Sequence, residues 1–155
     1  MQTAFQNITF EEKYKYYTGG YWNYNLNLSE NSLDNIQMVS IDAQDNIRGF
    51  LCAEISRNSD KISSLAIINF YGKNVVFSKD LYQFIKNLFV KFNFRKVEFG
   101  IVVGNPIEKM YDKYIEKYNG STTGIQHKSI KLQDNLYYDE KFYEIFREDC
   151  IELLK

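Results

Sequence analysis

A chain of 155 residues, with 19 basic against 20 acidic side chains and a formal charge of -1, fits one domain of residues 1–155 and is long enough to build a proper core. It carries no dense basic run of the kind that neutralises phosphate backbones, and no stretch nears the ~20 apolar residues of a membrane span, so neither nucleic acid nor membrane is expected as a partner. Met1–Phe10 lacks the basic start and apolar run of an export signal, and Cys52 and Cys150 read as free thiols of a reducing, cytoplasmic setting.

In chain order, Phe10–Tyr17 carries aromatics at helical offsets behind Thr9 and Glu12, a capping-box pair, and Gly19-Gly20 ends that helix. Tyr21–Asn35 is crowded with asparagine, serine and aromatics, Trp22 among them, and reads as a loop over the surface that either lines a pocket or covers the core. The period then becomes that of strands over Gln37–Asp42, Ile47–Arg57 and Lys61–Tyr71, with a turn at Gln44-Asp45-Asn46: an antiparallel meander. A helix follows, striped by Leu81, Phe84, Ile85, Leu88, Phe89 and Phe92, with Ser78 or Asp80 as its cap. Arg95–Gly104 is an almost continuous apolar strand, which predicts a central place in the sheet, and the strand-helix-strand crossover predicts a parallel pair.

Pro106 to about Tyr118 reads as a helix stopped by Asn119-Gly120, and Ser121–Leu132 with Tyr137–Arg147 as a long hairpin around Asp134-Asn135. The expected fold is a mixed α/β sheet with helices on both faces. Two cysteines and the single His127 lack any ligand spacing such as C-x-x-C, so no metal site is expected.

Three quotations give this order a family likeness. They are V-V-G-N-P at Val102–Pro106, K-Y-N-G-S-T-T-G at Lys117–Gly124, and Y-Y-D-E-K-F-Y-E-I-F-R-E-D at Tyr137–Asp149. From about Gln37 to Asp149 the chain resembles the GNAT superfamily of N-acyltransferases. The resemblance implies acetyl-CoA lying between two splayed parallel strands, here Lys61–Tyr71 and Arg95–Gly104, with its pantetheine arm bonded to backbone like an added strand. Backbone near Ile67, Ile68 and Asn69 then binds the pantetheine amides and polarises the thioester carbonyl.

The pyrophosphate loop of the family, Arg/Gln-x-x-Gly-x-Gly/Ala, falls on Lys73-Asn74-Val75-Val76-Phe77-Ser78. Close approach of backbone to phosphate favours glycine, and Val76 and Phe77 stand against it, while Lys73, Ser78 and Lys79 offer charge and a hydroxyl or are plain solvated residues. A phenol of reference pKa ~10 can protonate a departing thiolate whose acid lies near ~8.5, and the resemblance puts such a tyrosine about seven residues after the strand-ending asparagine. Asn105 is that asparagine, either a cofactor contact or a cap. Tyr111 is the sixth residue on, with Tyr114 the alternative; both also belong to an aromatic stripe with Tyr118 that packing alone explains.

Glu54 and Glu98 are conceivable bases through a water, and His127 reads as surface. The implied activity is acetyl transfer from acetyl-CoA to a primary amine, on a small molecule or a peptide or protein, by direct attack in a ternary complex. The rival is a GNAT-like binding or interaction module without turnover. The aromatic C-terminal hairpin also offers an edge for homodimer formation.

Overall fold

The computed structural model describes residues 15, 16 and 33–154; of the expected first helix only residues 15 and 16, in a turn, are described, and Trp22 with the rest of 17–32 lies outside these residues. The described elements are β1 (Asn35–Ile41), β2 (Ile47–Ser56), β3 (Lys61–Asn69), α1 (Val75–Val90), β4 (Lys96–Val102), α2 (Glu108–Lys117), β5 (Ser121–Lys131), β6 (Tyr137–Phe146) and a short turn, α3 (Arg147–Cys150). The six strands form one sheet in the order β1-β2-β3-β4-β6-β5, antiparallel throughout except for the parallel pair β3-β4. The meander, the central fourth strand and the C-terminal hairpin are where the residue pattern puts them.

Strand register divides the side chains between two faces. Ile36, Leu51, Ala53, Ile62, Val97, Ile101, Tyr143 and Ile145 share one face and one core, together with Phe77, Phe84, Leu88 and Phe89 of α1 and Ile115 of α2. Both helices therefore cover the same side, as successive right-handed crossovers moving in one direction across a sheet require. Burying each of these large side chains contributes about 1.5–3 kcal/mol. On the opposite face Phe50, Ile68 and Val102 are buried outside that cluster.

Three local expectations are corrected. The cap of α1 is neither Ser78 nor Asp80 but Asn74, whose side chain accepts the Phe77 N–H, so the helix starts at Val75. Asp80 instead accepts from the fully buried Ser40 hydroxyl at 2.6 Å and ties α1 to β1. Phe92 lies beyond the helix end and is 38% exposed; Phe94 enters the core in its place. The last strand stops at Phe146, and the chain turns into α3 and a 3-10 turn, Ile151–Leu154, that bury Cys150 and Leu154.

Gly49 of β2 lets α1 sit close. A Cβ there would stand 2.4 Å from the Phe77 ring and 2.5 Å from the Ile68 carbonyl oxygen. Gly49→Ala is expected to destabilise the fold by about 1–3 kcal/mol, the usual cost of overpacking, read as a lower urea midpoint with an unchanged slope.

Candidate active site

The parallel pair that unites the two halves of the sheet is joined at its start alone. Lys61 pairs with Lys96 and Ile62 with Val97, after which β3 runs on to Asn69 and β4 to Val102 without pairing. A bulge opposite Glu54 falls where the strands part. Two lysines side by side at the first rung would repel. Glu98 lies between them, ion-paired to both Lys61 and Lys96, and Lys96 also reaches Glu144 at 2.9 Å. Burial pushes the Glu98 carboxyl up, but the two lysines outweigh it and hold it below its ordinary value. Glu98, a conceivable base by sequence, is thus committed to clamping the closed end of the gap.

Backbone direction along the gap follows from the antiparallel alternation. The Phe70 N–H donates to the Arg48 carbonyl at 3.1 Å, so 70, 68 and 66 bond to β2 while the backbone of Leu65, Ile67 and Asn69 turns toward β4. Of the three predicted backbone positions, Ile67 and Asn69 face the gap and Ile68 faces β2. On the other wall the Val103 N–H donates to the Asp139 carbonyl at 2.9 Å, which turns the backbone of Glu98, Gly100 and Val102 into the gap.

At the rim, the start of α1 is knitted by asparagines. Asn74 accepts the Phe77 N–H with its side chain at 3.1 Å and the Ser78 N–H with its carbonyl at 3.0 Å, and its amide donates to the Arg48 carbonyl at 3.1 Å. Asn69 donates to the Gly72 carbonyl and accepts the Tyr71 N–H. Among the predicted phosphate residues, Phe77 has its ring in the core, Val76 is half-buried, and the Ser78 hydroxyl donates back to the Asn74 carbonyl at 3.0 Å. Lys73 and Lys79 are exposed beside this helix start.

The far rim is α2. Asn105 bends the chain over Pro106: its side chain accepts the Ile107 N–H at 3.1 Å and its carbonyl the Glu108 N–H at 2.9 Å. The preceding Gly104 has φ +87, a conformation that favours glycine. Asn105 is therefore a cap of the turn, and α2 begins at Glu108 rather than Pro106. The two tyrosine candidates separate cleanly. Tyr111 turns inward, its ring edge-on to Phe99 of β4 at 5.5 Å and 82°, whereas Tyr114 is 45% exposed on the outer side.

A polar group that sequence reasoning missed locks α2 in place. Asp112 accepts from Lys141 at 2.6 Å and from the buried Tyr143 hydroxyl at 2.7 Å, and the Tyr143 ring lies 5.2 Å from Phe99. Phe99 is thus held between Tyr143 and Tyr111. Burial, reinforced by the Asp112 hydrogen bond, pushes the Tyr143 phenol up to about 12, so it stays protonated as a donor. Lys141 and then Tyr143 hold the Asp112 carboxyl below its ordinary value. The signal was a short-range one: Asp112 follows Tyr111 directly, but its partners lie about thirty residues away on β6.

The remaining candidates fall apart spatially. His127 is on the edge strand β5, 82% exposed and 3.0 Å from Asp139. Both cysteines are free; burial and then Glu54 raise Cys52, and burial pushes Cys150 up to about 11, which keeps both as thiols.

No family profile and no curated protein matches this sequence. Solved structures do match it in shape. Spermidine/spermine N-acetyltransferase SpeG from Vibrio cholerae, in complex with manganese ions, superimposes with a TM-score of 0.65 at 22% identity over 79% of this chain and 71% of that one. A spermidine N-acetyltransferase chimera of Vibrio cholerae SpeG and hSSAT gives a TM-score of 0.64 at 20% identity over 76% and 71%. The chain has the GNAT-type N-acetyltransferase fold.

The Asp112 carboxyl, depressed when folded, contributes stability that is present above its unfolded value near ~3.9 and is lost as pH falls through the lower folded value. Asp112→Asn is therefore expected to melt lower than the wild type at pH 7 and to lose less than the wild type between about pH 4 and pH 2 in a series of thermal scans.

Proposed function

We infer that this protein is an N-acyltransferase that moves an acetyl group from acetyl-CoA to a primary amine by direct attack in a ternary complex. The observation that carries the reading is the two-rung β3-β4 pair and the gap beyond it, with a helix start at one rim and an inward phenol at the other. Backbone at Ile67 and Asn69 is oriented to bond a pantetheine arm as an added strand, and an N–H there would polarise the thioester carbonyl. Lys73 and Lys79 supply charge for the phosphates, and the N–H groups of Val75 and Val76 lie in the first turn of α1.

The amine nitrogen bonds to the acyl carbon, the carbon–sulfur bond breaks, and the thiolate takes the proton that completes CoA. Tyr111 fits the donor of that proton, because it is the inward member of the pair and rests on the clamped Phe99. The proton lost by the amine leaves through ordered water, since Glu98 is committed to its lysines. Spermidine and spermine, the acceptors of the similar enzymes, support a small-molecule amine over a peptide or protein amine. Two unpaired thiols, Cys52 and Cys150, suit a reducing, cytoplasmic setting.

The Asn74 cap bears on cofactor affinity, because it engages the Phe77 N–H that a phosphate would otherwise receive. Isothermal titration with acetyl-CoA is expected to show saturable micromolar binding, tightened several-fold in Asn74→Gly, where glycine at the cap costs about a few tenths of a kcal/mol beside the lost bonds to the Arg48 carbonyl and Asn69. Tyr111→Phe should retain that binding and lose roughly 10²–10⁴ in kcat, with Tyr114→Phe near wild type. Absence of acetyl-CoA binding by both the wild type and Asn74→Gly would withdraw the enzyme reading in favour of an interaction module.

A further inference from the structure

Two neighbouring residues of α2 reach the body of the protein by different routes, and the routes meet. Tyr111 lies edge-on to Phe99 of β4 with the ring centroids 5.5 Å apart, while Asp112 accepts from the Tyr143 hydroxyl of β6 at 2.7 Å. Tyr143 stands opposite Phe99 in the β4-β6 register, and the two rings lie 5.2 Å apart. The four side chains therefore close a circuit from α2 to β6, across to β4 and back to α2. Tyr143 is its deepest member, 1% exposed within the core.

Consecutive residues of a helix point about 100° apart, so two anchors at neighbouring positions stop the helix rolling about its axis where one would not. α2 depends on such anchors, because Ile115 is the one buried residue among its ten. At a radius of about 6 Å a roll of about 10° carries a side-chain tip about 1 Å. A shift of that size at a reacting group costs about 10²-fold in rate. Lys141 donates to the same Asp112 oxygen at 2.6 Å, but an ammonium on a flexible stem follows a carboxylate that moves, whereas a phenol set in a packed core does not.

We propose that Tyr143 is a positioning residue of acyl transfer, whose hydroxyl on Asp112 and ring on Phe99 together fix the roll of α2 and with it the phenol of Tyr111. The proposal rests on the acyltransferase reading and deepens it, since it gives a part in the reaction to a side chain that touches neither donor nor acceptor. Tyr143 is packed in the core beneath α2, so loss of its hydroxyl leaves the binding of both substrates intact and acts on the chemical step. Tyr143→Phe is the discriminating change: the ring stays against Phe99, and Asp112 keeps Lys141 as its partner.

The test is a double-mutant cycle on steady-state transfer from acetyl-CoA to a panel of primary alkylamines, using wild type, Tyr143→Phe, Tyr111→Phe and the double variant. Tyr143→Phe should lower kcat about tenfold, as a displacement of a fraction of an ångström would, with KM for acetyl-CoA and for the amine unchanged. In the Tyr111→Phe background the same change should cost nothing further, because the group it positions is gone. Asp112→Ala should repeat this pattern and Asp112→Asn, which keeps an oxygen for the phenol, should recover part of kcat; this pair carries the test should Tyr143→Phe melt below the assay temperature. Equal losses of kcat in both backgrounds, a change confined to KM, or wild-type kcat in Tyr143→Phe overturns the role of Tyr143 alone. Wild-type kcat in Tyr111→Phe overturns the choice of proton donor and this inference with it, and a wild type that acetylates no amine of the panel overturns the acyltransferase reading.

Discussion

Two rungs of parallel pairing, Lys61 with Lys96 and Ile62 with Val97, join the halves of this sheet, and the rest of the site exists because pairing stops there. Parallel strands that continued in register would satisfy one another's backbone groups and leave nothing for a ligand. Stopping early leaves one row of peptide groups on each strand directed into the gap, and a buried peptide group without a partner is costly enough that such a row awaits either water or a strand-like ligand. Glu98 makes the short junction tenable, since it lies between lysines that would otherwise face each other. Buried Ile62 and Val97 support the same rungs from the core side.

From that junction the two rims are held by different means. Gly49 lets α1 approach until the Phe77 ring fills the space over β2, and the Ser40–Asp80 hydrogen bond fixes the helix lengthwise. A polar pin holds α2, in which one carboxylate, Asp112, receives both an ammonium and a phenol from β6. Because Tyr111 is the next residue, the pin that fixes the helix also fixes the ring that meets Phe99. Fixing the helix and fixing that ring are thus one structural event.

The rim at the start of α1 is built differently from a glycine-rich helix start. Glycine at a helix start leaves its amides open, whereas Asn74 turns one of them back on itself and ties the loop to β2 through the Arg48 carbonyl. The result is a more rigid helix start with fewer N–H groups to offer an anion. On the opposite face lysines neutralise Glu98 and Glu144, and among the described residues Glu140 is the carboxylate of that row without a cation.

Hydrophobic period by itself determined the meander, the α1 stripe, the buried fourth strand and the hairpin, because a residue's neighbours in sequence settle which face it presents. The right-handed crossover rule added the parallel pair. Sequence left Tyr111 and Tyr114 unresolved, since their three-residue spacing fits one stripe, and the tertiary structure separated them because the start and tilt of α2 depend on Asp112 meeting Lys141 and Tyr143. It also decided that Asn74 rather than Ser78 or Asp80 caps α1, as Asp80 finds its partner on β1. Glu98 passed from conceivable base to clamp for the same reason: its two lysines converge only where β3 meets β4, a contact between residues 37 positions apart that no local pattern encodes. Glu140 over Gly100 is of this kind too, a juxtaposition of strands that pairing register creates and composition does not.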